Sequence, residues 1–475
     1  MQKLSNKVKY SFGVGAIGKD AIVNLVGVYL MFYITDVLHL SPAFAGVLLF
    51  VARVWDAIND PMMGMIVDNT KTRFGKFRPW LVIGTVVNSI VFVLLFSQFN
   101  MSTSQLYIYI SIMYILYGMT YTIMDVPYWS WLPNLTRDPA ERDSIAVIPR
   151  FFASLAGMAV GTFGLQVIDY FDGIFGTGDR GAGFTITAIL IAIVFIVTIS
   201  ITVFNVPEEP TDTSGESIKL KQIPNVLFKN KQLLAYIGFL LSTNLATQIV
   251  NGVALYYFTY VAGKESLFSI FNFMMLAEMA GLLLFPKLTR KLNRSKVFML
   301  ASGMWVGGLI TLLIGGFVAP HSVVFVVLGS VIMRMGNGFS IGIWTVSIAD
   351  VIDYGEVTTG VRSESIITSS QTFLMKTSQA FAGLLTGIGL DLFGYVPGAA
   401  QTPTAIFGLR TMMIFIPLVF AVLSFYIYTK HYKLKGTYLQ EIVKELEKKD
   451  KTKNASVKEQ EEPYEEPASE AFINN

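Results

Sequence analysis

Residues 182–206 read AGFTITAILIAIVFIVTISITVFNV, a run of 25 residues without a charged side chain. An α-helix needs about 20 apolar residues to cross the hydrocarbon core of a bilayer, so this run is long enough to span it. Similar runs recur along the 475 residues. The predicted spans are 10–35, 42–66, 79–98, 105–132, 144–168, 182–206, 232–262, 266–286, 297–319, 322–349, 365–391 and 404–429. The sequence therefore predicts an all-α membrane protein of about twelve transmembrane helices.

The composition agrees with this prediction. Hydrophobic residues make up 53% of the chain and charged residues only 15%, whereas a soluble domain carries about 25% charged residues. Cys is absent, which excludes disulfides and thiol chemistry. The three His residues have no metal-ligand spacing. We therefore expect no resident metal and no organic cofactor.

The basic residues are distributed asymmetrically between the predicted loops. Of the 36 Lys and Arg residues, 28 lie at the termini or in the loops of one side, whereas only Arg180 and Lys264 lie on the other. The six that fall inside predicted spans are Lys19, Arg53, Arg150, Arg334, Lys376 and Arg410. Because positive charge is retained on the cytoplasmic side of a membrane, we expect a multi-pass protein of the cell membrane with both termini in the cytoplasm. This distribution also explains the net charge of +3 without a nucleic-acid partner.

A polar segment near the middle of the chain separates six predicted spans from another six. The predicted organisation is an N-terminal six-helix bundle (1–205), a central cytoplasmic loop (206–231), a C-terminal six-helix bundle (232–429) and a cytoplasmic tail (430–475). Within the tail we expect a short helix at 438–449 and disorder over 451–475, because the composition there is polar and charged.

A short motif recurs in the two halves. YITDV at 33–37 ends the first predicted span, and YFTYV at 257–261 ends the seventh, with three of five positions identical. Because the first and seventh spans are equivalent in two six-span halves, the motif indicates an internal duplication.

The segment Gly13-Val-Gly15-Ala-Ile-Gly18-Lys19-Asp20 matches a dinucleotide-binding pattern and most of a phosphate-loop pattern. Both patterns require a preceding strand, whereas these glycines lie in a predicted spanning helix. Asp20 also replaces the hydroxyl residue that would hold a metal, and its carboxylate would repel phosphate. We therefore predict no nucleotide site and attribute the glycines to close helix packing.

Span two contains unusual polar residues in the series Arg53-Val-Trp-Asp56-Ala-Ile-Asn59-Asp60. An ionisable side chain inside a span costs about 2.5–3.5 kcal/mol, so such residues tend to mark transport pathways. Spacings of three and four place Arg53, Asp56 and Asp60 on one helix face, and Asn59 adds an amide oxygen beside them. Hard oxygen ligands of this kind suit a small cation such as Na⁺.

Span four contains the series Tyr121-Thr122-Ile-Met-Asp125-Val-Pro-Tyr-Trp129. A spacing of four places Tyr121, Asp125 and Trp129 on one face, and Thr122 could supply a hydroxyl near the cation. A carboxylate flanked by aromatic rings suits a sugar, because the carboxylate accepts two hydroxyls while a ring covers the C–H face.

The N-terminal half carries an excess of acid inside its spans. The ionisable residues there are Asp20, Asp56, Asp60 and Asp125 against Lys19, Arg53 and Arg150. The formal charges of these residues sum to minus one. A cavity of low dielectric constant does not tolerate net charge, so we expect a bound cation or proton to compensate it. Lys376 of the other half could approach these aspartates until a cation displaces it.

Some of these charges have simpler interpretations. Arg53 could hold a salt bridge near the cytoplasmic surface, and a lone Asp could belong to a structural ion pair. Arg334 and Arg410 are interpreted as interfacial anchors whose long side chains reach the membrane surface.

The loop at 64–80, GMIVDNTKTRFGKFRPW, resembles the signature of the glycoside–pentoside–hexuronide:cation symporter family, within the major facilitator superfamily. Stretches at 55–61, 119–125, 149–157 and 353–356 resemble the melibiose permeases of that family. The resemblance extends from about residue 8 to 435 and implies the major facilitator fold. Asp68 and Arg73 of the loop are expected to pair as a cytoplasmic gate.

The resemblance also implies site residues. The implied site for Na⁺, Li⁺ or H⁺ consists of Asp56, Asn59, Asp60 and Thr122. The implied sugar site consists of Lys19, Asp20, Tyr121, Asp125, Trp129 and Arg150, together with Gln371, Thr372 and Lys376 from the C-terminal half.

The function indicated is symport of an α-galactoside such as melibiose with a monovalent cation, by alternating access. Such a chain is a transporter and not an enzyme, and its partners are a small sugar, a cation and the lipid bilayer. A phosphotransferase-type permease would need a phosphorylatable Cys or His in a soluble domain, and a channel would not need a sugar-like site. A proton-coupled carrier of another glycoside, a glucuronide or a xyloside stays open, although Asp20 and Asp125 favour a neutral sugar.

Overall fold

A computed structural model describes residues 4–132, 135, 139–208, 230–359, 364–442 and 444–446. No strand occurs within these ranges, which fold almost entirely as helices. The helices are α1 (Asn6–Phe32), α2 (Pro42–Asp68), α3 (Arg78–Leu95), α4 (Thr103–Trp131), α5 (Pro139–Phe175), α6 (Gly181–Asn205), α7 (Lys231–Tyr256), α8 (Ser266–Phe273), α9 (Met275–Leu292), α10 (Arg294–Val318), α11 (Val323–Thr359), α12 (Glu364–Leu392), α13 (Pro403–Arg410) and α14 (Ile416–Lys430).

Each predicted span corresponds to one helical segment of the described chain. α8 and α9 together form one segment, and α13 and α14 form another, joined by a π-helical turn. Eleven segments are long and apolar enough to cross a membrane, so the prediction of twelve holds for all but α12. α12 has 29 residues but carries Lys376 and many Ser, Thr and Gln side chains. It packs against α2 and α7, which shield this polar helix on the side of the protein interior.

Short connections make successive segments run in opposite directions along the bundle. We call the end that holds Asn6 and Lys430 the terminal end, and the end that holds Val37 and Val261 the distal end. Both described ends of the chain therefore lie at the same end of the bundle, as an even number of spans requires.

Helix α1 is the central helix of the N-terminal half, because it packs against both α5 and α6. Its glycines allow this approach. A Cβ atom on Gly18 would lie 2.3 Å from the Cα atom of Phe195 in α6, and one on Gly15 would lie 2.4 Å from the Thr202 hydroxyl. The glycine pattern of α1 thus serves helix packing, as the sequence predicted.

The repeated motif has the same conformation in both halves. Tyr33–Val37 continues α1 as a π-helical turn, and Tyr257–Val261 continues α7 in the same way. Because π-helical turns are rare, their presence at both copies of the motif supports the internal duplication.

Polar side chains join the two halves at the distal end, in a group of contacts that we call the distal seal. Asp36, at the end of α1, accepts hydrogen bonds from the hydroxyls of Tyr260 and Tyr395, the latter at 2.6 Å. Arg180, before α6, forms a bidentate ion pair with Glu265 at 2.6 and 2.8 Å. The halves are therefore in contact at the distal end in this conformation.

The segment after α14 folds back onto the C-terminal half. Residues 436–442 and 444–446 are helical, which agrees with the start of the predicted tail helix. Leu434 and Ile442 are buried and belong to the apolar core formed by α7, α10 and α11. The predicted disorder over 451–475, and most of the predicted central loop, lie outside the described residues.

Candidate functional site

A first polar cluster surrounds the ammonium group of Lys19 in α1. This group lies 2.8 Å from Asp125 Oδ1 and 3.2 Å from Asp20 Oδ2. The hydroxyl of Tyr121 lies 3.2 Å from the same ammonium and 3.3 Å from Asp125. The side chain of Lys19 is only 3% exposed, so the two carboxylates supply the opposite charge that a buried ammonium requires.

The aromatic residues of α4 line this Lys19 cluster. The Lys19 ammonium lies 5.1 Å from the ring of Trp129, 5.6 Å from that of Tyr128 and 5.8 Å from that of Tyr121. The side chain of Asp125 keeps 27% of its surface exposed, and its described contacts use only Oδ1. The second carboxylate oxygen is therefore positioned to accept a ligand hydroxyl next to an aromatic ring.

A second polar cluster forms around Asp60 in α2. The hydroxyl of Thr122 donates to Asp60 Oδ1 at 3.0 Å and also contacts the carbonyl of Gly118 at 3.1 Å. The ammonium of Lys376 in α12 forms an ion pair with the other carboxylate oxygen of Asp60. The Asp60 cluster thus joins the two halves through one ion pair.

Asp56 lies one turn before Asp60 and contacts different partners. Its carboxylate accepts from Arg53 at 3.1 Å. It also lies against α4, because a Cβ atom on Gly118 would be 2.9 Å from Asp56 Oδ1. Carboxylate, hydroxyl and carbonyl oxygens therefore converge between α2 and α4. A hard monovalent cation prefers such oxygen ligands.

Asn59 lies in the same turn of α2, and its amide nitrogen is buried without a hydrogen-bond partner among the described residues. Arg53 is in the middle of α2 and faces the interior. Arg53 therefore holds a salt bridge, as one interpretation expected, but with Asp56 in the interior rather than near the cytoplasmic surface.

Four predicted sugar-site residues do not contact the Lys19 cluster. One of them is Lys376, which pairs with Asp60 instead. Arg150 in α5 is exposed, Thr372 in α12 is exposed and Gln371 is half-buried. Within the described residues, no hydrogen bond or ion pair links them to Lys19, Asp20 or Asp125. A spacing along a helix could not reveal this, because their distance from α1 and α4 depends on how the helices and the two halves are placed.

The predicted pairing of Asp68 with Arg73 is wrong. Asp68 instead forms an ion pair with Lys76 at 2.8 Å, and the guanidinium of Arg73 lies over the ring of Phe74 at 4.6 Å. The turn at Gly75, where φ is +103°, places Lys76 rather than Arg73 next to the end of α2.

Sequence reasoning also missed Glu208, which follows α6. Its carboxylate accepts hydrogen bonds from the backbone N–H groups of Lys76, Phe77 and Arg78, at 2.6 Å from Phe77. Because these N–H groups begin α3 and lack partners within that helix, Glu208 acts as a cap supplied by another segment. A Glu after a predicted span carries no local signal for such a role.

A cavity of about 240 Å³ lies between the two halves, on the distal side of both clusters. We call it the amide cavity, because most of its polar lining residues carry amide groups. These polar residues are Asn24, Arg53, Gln248, Asn251, Asn272, Arg334, Gln379 and Thr386. Arg334 is 5% exposed and pairs with Glu278 at 3.5 Å. It faces the interior, so its interpretation as an interfacial anchor is wrong.

The chain is similar to transport proteins over nearly its whole length. The family model for MFS/sugar transport proteins matches residues 11–436. The uncharacterized symporter YnaJ of Bacillus subtilis is 31% identical over 453 residues, which cover 95% of this chain and 96% of the relative. An isoprimeverose transporter of Lactiplantibacillus pentosus is 29% identical and covers 86% of this chain and 85% of its own length. A raffinose carrier protein of Pediococcus pentosaceus is 27% identical, covering 93% and 72%.

Solved transporter structures share the fold. A bacterial homologue of the human lysosomal transporter Spinster superposes with a TM-score of 0.64 at 13% identity, covering 90% of this chain and 97% of that one. The nucleoside transporter NupG superposes with a TM-score of 0.60 at 14% identity, covering 90% and 99%. At such low identity the likeness concerns the arrangement of helices alone.

Proposed function

The chain belongs to the MFS/sugar transport protein family, and from that premise we propose that it is a symporter of a neutral glycoside and a monovalent cation. It is a multi-pass membrane transporter and not an enzyme. The proposed substrate is an α-galactoside such as melibiose, and the proposed coupling ion is Na⁺, Li⁺ or H⁺.

The observation that carries this proposal is the position of the two clusters on one helix. Thr122 and Asp125 lie three residues apart on α4, where Thr122 contacts Asp60 and Asp125 contacts Lys19. A sugar at Asp125 and a cation at Asp60 would therefore be separated by about one helical turn. Binding of either ligand would change the positions of the side chains that the other ligand contacts, or the electrostatic potential at them. Coupled binding requires such an interaction between the two sites.

The Lys19 cluster offers the chemistry of sugar recognition. Lys19 donates hydrogen bonds, Asp20 and Asp125 accept them, and the ring of Trp129 provides an apolar surface. Two carboxylates at one site disfavour an anionic sugar by like-charge repulsion. We therefore assign the neutral glycoside to this cluster and the cation to the Asp60 cluster.

Lys376 supplies a physical basis for coupling in this proposal. Its ammonium forms an ion pair with the Asp60 carboxylate in the described conformation. A coupling cation would replace it there, and α12 would then be free to move relative to α2. Such a change suits alternating access, in which the two halves rock about a central site. A membrane potential adds about 2.3 kcal/mol per charge for each 100 mV, which is enough to drive accumulation.

We further propose that the terminal end faces the cytoplasm, because most of the Lys and Arg residues lie there. The distal end would then face the outside. With the distal seal formed, the described conformation would be closed to the outside.

A proton-coupled carrier of another glycoside, a glucuronide or a xyloside is the second candidate. Relatives are named for isoprimeverose, raffinose, lactose and sulfoquinovose, so the family accommodates diverse sugars on one fold. Uptake of labelled melibiose into membrane vesicles under an imposed Na⁺ or H⁺ gradient distinguishes these candidates. Accumulation of melibiose under either gradient supports the first. No accumulation of melibiose, with H⁺-driven accumulation of another labelled glycoside in the same vesicles, supports the second.

The substitution Asp125→Asn tests the sugar site. We expect it to weaken melibiose binding by about tenfold to a hundredfold, because hydrogen bonds to a charged group contribute about 1.5–3 kcal/mol. Lys19 keeps Asp20 as a partner, so the protein should fold. The measurement is melibiose affinity of the purified variant, with Asp391→Asn on the exposed end of α12 as the matched control. Unchanged affinity in Asp125→Asn would place the sugar elsewhere.

A further inference from the structure

The amide cavity continues from both clusters toward the distal end. Asn24 lies one turn beyond Asp20 on α1 and donates to its backbone carbonyl at 2.7 Å. Arg53 lines the cavity and pairs with Asp56. The cavity therefore borders the helical turns that carry the proposed sugar and cation sites, although the residues that those sites use for their ligands do not line it.

The duplication places matching amides on the two sides of this cavity. Asn24 and Gln248 have the same separation in sequence as Tyr33 and Tyr257, the first residues of the two π-helical turns. They therefore occupy equivalent positions on α1 and α7, and both line the cavity. Asn272 of α8 adds an amide that lies against Gly161, where a Cβ atom would be 3.1 Å from its side chain.

Two residues that line the cavity each carry a buried polar atom without a hydrogen-bond partner among the described residues. Arg334 donates to Asn251 at 3.3 Å and lies over the ring of Phe271, but its Nε atom has no hydrogen-bond partner among the described residues. The hydroxyl of Thr386, whose residue is 2% exposed, has none there either. Both residues line the cavity, so its wall is also polar on the side formed by α11 and α12.

The lining has little net charge. It includes no carboxylate, and its two arginines are each paired with an acidic residue outside the lining, Arg53 with Asp56 and Arg334 with Glu278. Amides that both donate and accept surround the rest of the space. A ligand that both donates and accepts, such as the hydroxyl-rich ring of a neutral sugar, matches this lining better than an anion or an apolar group.

The size of the cavity limits what it can hold. At about 240 Å³ it is smaller than the roughly 300–1,000 Å³ typical of sites that enclose a whole drug-sized ligand. It therefore suits one part of a ligand whose other part contacts the Lys19 cluster.

We propose that the amide cavity is a second glycosyl subsite, which holds the sugar ring of a disaccharide that lies farther from the Lys19 cluster. This inference rests on the proposed sugar transport. It assigns to Gln248, Asn272 and Arg334 the role of selecting a disaccharide over a monosaccharide.

The test compares the affinities for melibiose and for methyl α-galactoside, measured by calorimetry on the purified full chain. The wild-type protein should bind melibiose more tightly, since methyl α-galactoside lacks the second ring. In Gln248→Leu and Asn272→Ala we expect this preference to fall by about threefold to tenfold, as expected for the loss of one or two neutral hydrogen bonds. Asn205→Ala serves as the matched control, because this amide lies at the terminal end of α6 and donates to the Ile201 carbonyl of its own helix.

The possible results distinguish a failure of the proposed sugar transport from a failure of the proposed second subsite. If the wild-type protein binds neither sugar, the proposed transport of α-galactosides fails. If it binds both with equal affinity, or if both variants keep the wild-type preference, the subsite is refuted while sugar binding stands. Two variants on different helices keep the test valid if one of them does not fold.

Discussion

At the scale of the residue, Lys376 and Asp60 form an ion pair that links α12 to α2. Each side chain keeps about a third of its surface or less exposed, 34% for Lys376 and 27% for Asp60. Both groups are partly exposed to solvent, so a small cation can reach the Asp60 carboxylate and exchange for the ammonium. The neighbouring Thr122 hydroxyl and Gly118 carbonyl add neutral oxygen atoms that an ammonium does not require but a metal cation does.

If the proposed symport of melibiose with Na⁺ is correct, Asp60→Asn should abolish the stimulation of melibiose binding by Na⁺. The substitution removes the charge that attracts the cation while leaving Lys19, Asp20 and Asp125 in place, so sugar affinity measured without Na⁺ should change less than about twofold. The measurement is melibiose affinity at increasing Na⁺ concentration, with Asp391→Asn as the control. Persisting stimulation in Asp60→Asn would move the cation site away from α2.

At the scale of the element, the loop between α2 and α3 is held by Glu208 from beyond α6. The three N–H groups that Glu208 accepts begin α3, and Gly75 allows this approach in two ways. Its φ of +103° is strained for any residue with a side chain. A Cβ atom on Gly75 would also lie 2.2 Å from Glu208 Oε2.

Gly75→Ala should therefore destabilise the protein by about 1–3 kcal/mol, the usual range for a residue held in an unfavourable backbone conformation. Thermal unfolding in detergent measures the loss of stability. If Glu208 caps α3 as described, uptake of the proposed substrate melibiose should decrease together with the stability. Gly64→Ala is the matched control, because Gly64 belongs to the same signature but a Cβ atom there would meet no neighbouring atom within 4 Å. Equal stability of the two variants would contradict the capping role of Glu208.

At the scale of the whole molecule, the two halves touch at the distal end. The contacts join side chains from different segments, so no single helix could form them alone. Arg180 contacts Asp169 of its own half and Glu265 of the other half. Hydrogen bonds and charges from Glu265 and Asp169 raise the pKa of Arg180 further above its usual value, so its guanidinium stays charged. Opening the distal end requires this ion pair and the hydrogen bonds of Asp36 to separate.

Arg180→Gln should shift the protein toward a conformation that is open at the distal end. The chain contains no Cys, so a single reporter, Asn272→Cys, can be placed in the amide cavity. We expect a membrane-impermeant thiol reagent added outside intact cells to label this reporter at least threefold faster in Arg180→Gln. Arg410→Gln is the control, because Arg410 bonds the Gly316 carbonyl within its own half. An unchanged labelling rate would show that Arg180 does not hold the seal.

The sequence by itself determined the membrane-spanning helices and which carboxylates share a helix face, while the division into two six-helix bundles stays a prediction. These features follow from local properties of the sequence. The length of an apolar run shows whether a helix can span the membrane, and residues three or four apart lie on the same face of a helix. Spacing therefore placed Asp56 and Asp60 on α2, and Tyr121 with Asp125 on α4. The sequence also predicted a span at 365–391, but α12 is not apolar enough to qualify by composition, and its contacts with α2 and α7 shield its polar groups.

Only the tertiary structure decided which charges meet. Asp68 pairs with Lys76 rather than Arg73, and Arg334 lies inside the second half with Glu278. The sequence suggested that Lys376 approaches the acidic cluster, but only the structure selects Asp60 as its partner. Each pairing depends on the turns between helices and on the placement of one half against the other. The strength of an ion pair varies with the distance and burial of its two groups, and neither quantity is encoded at a fixed offset along the chain.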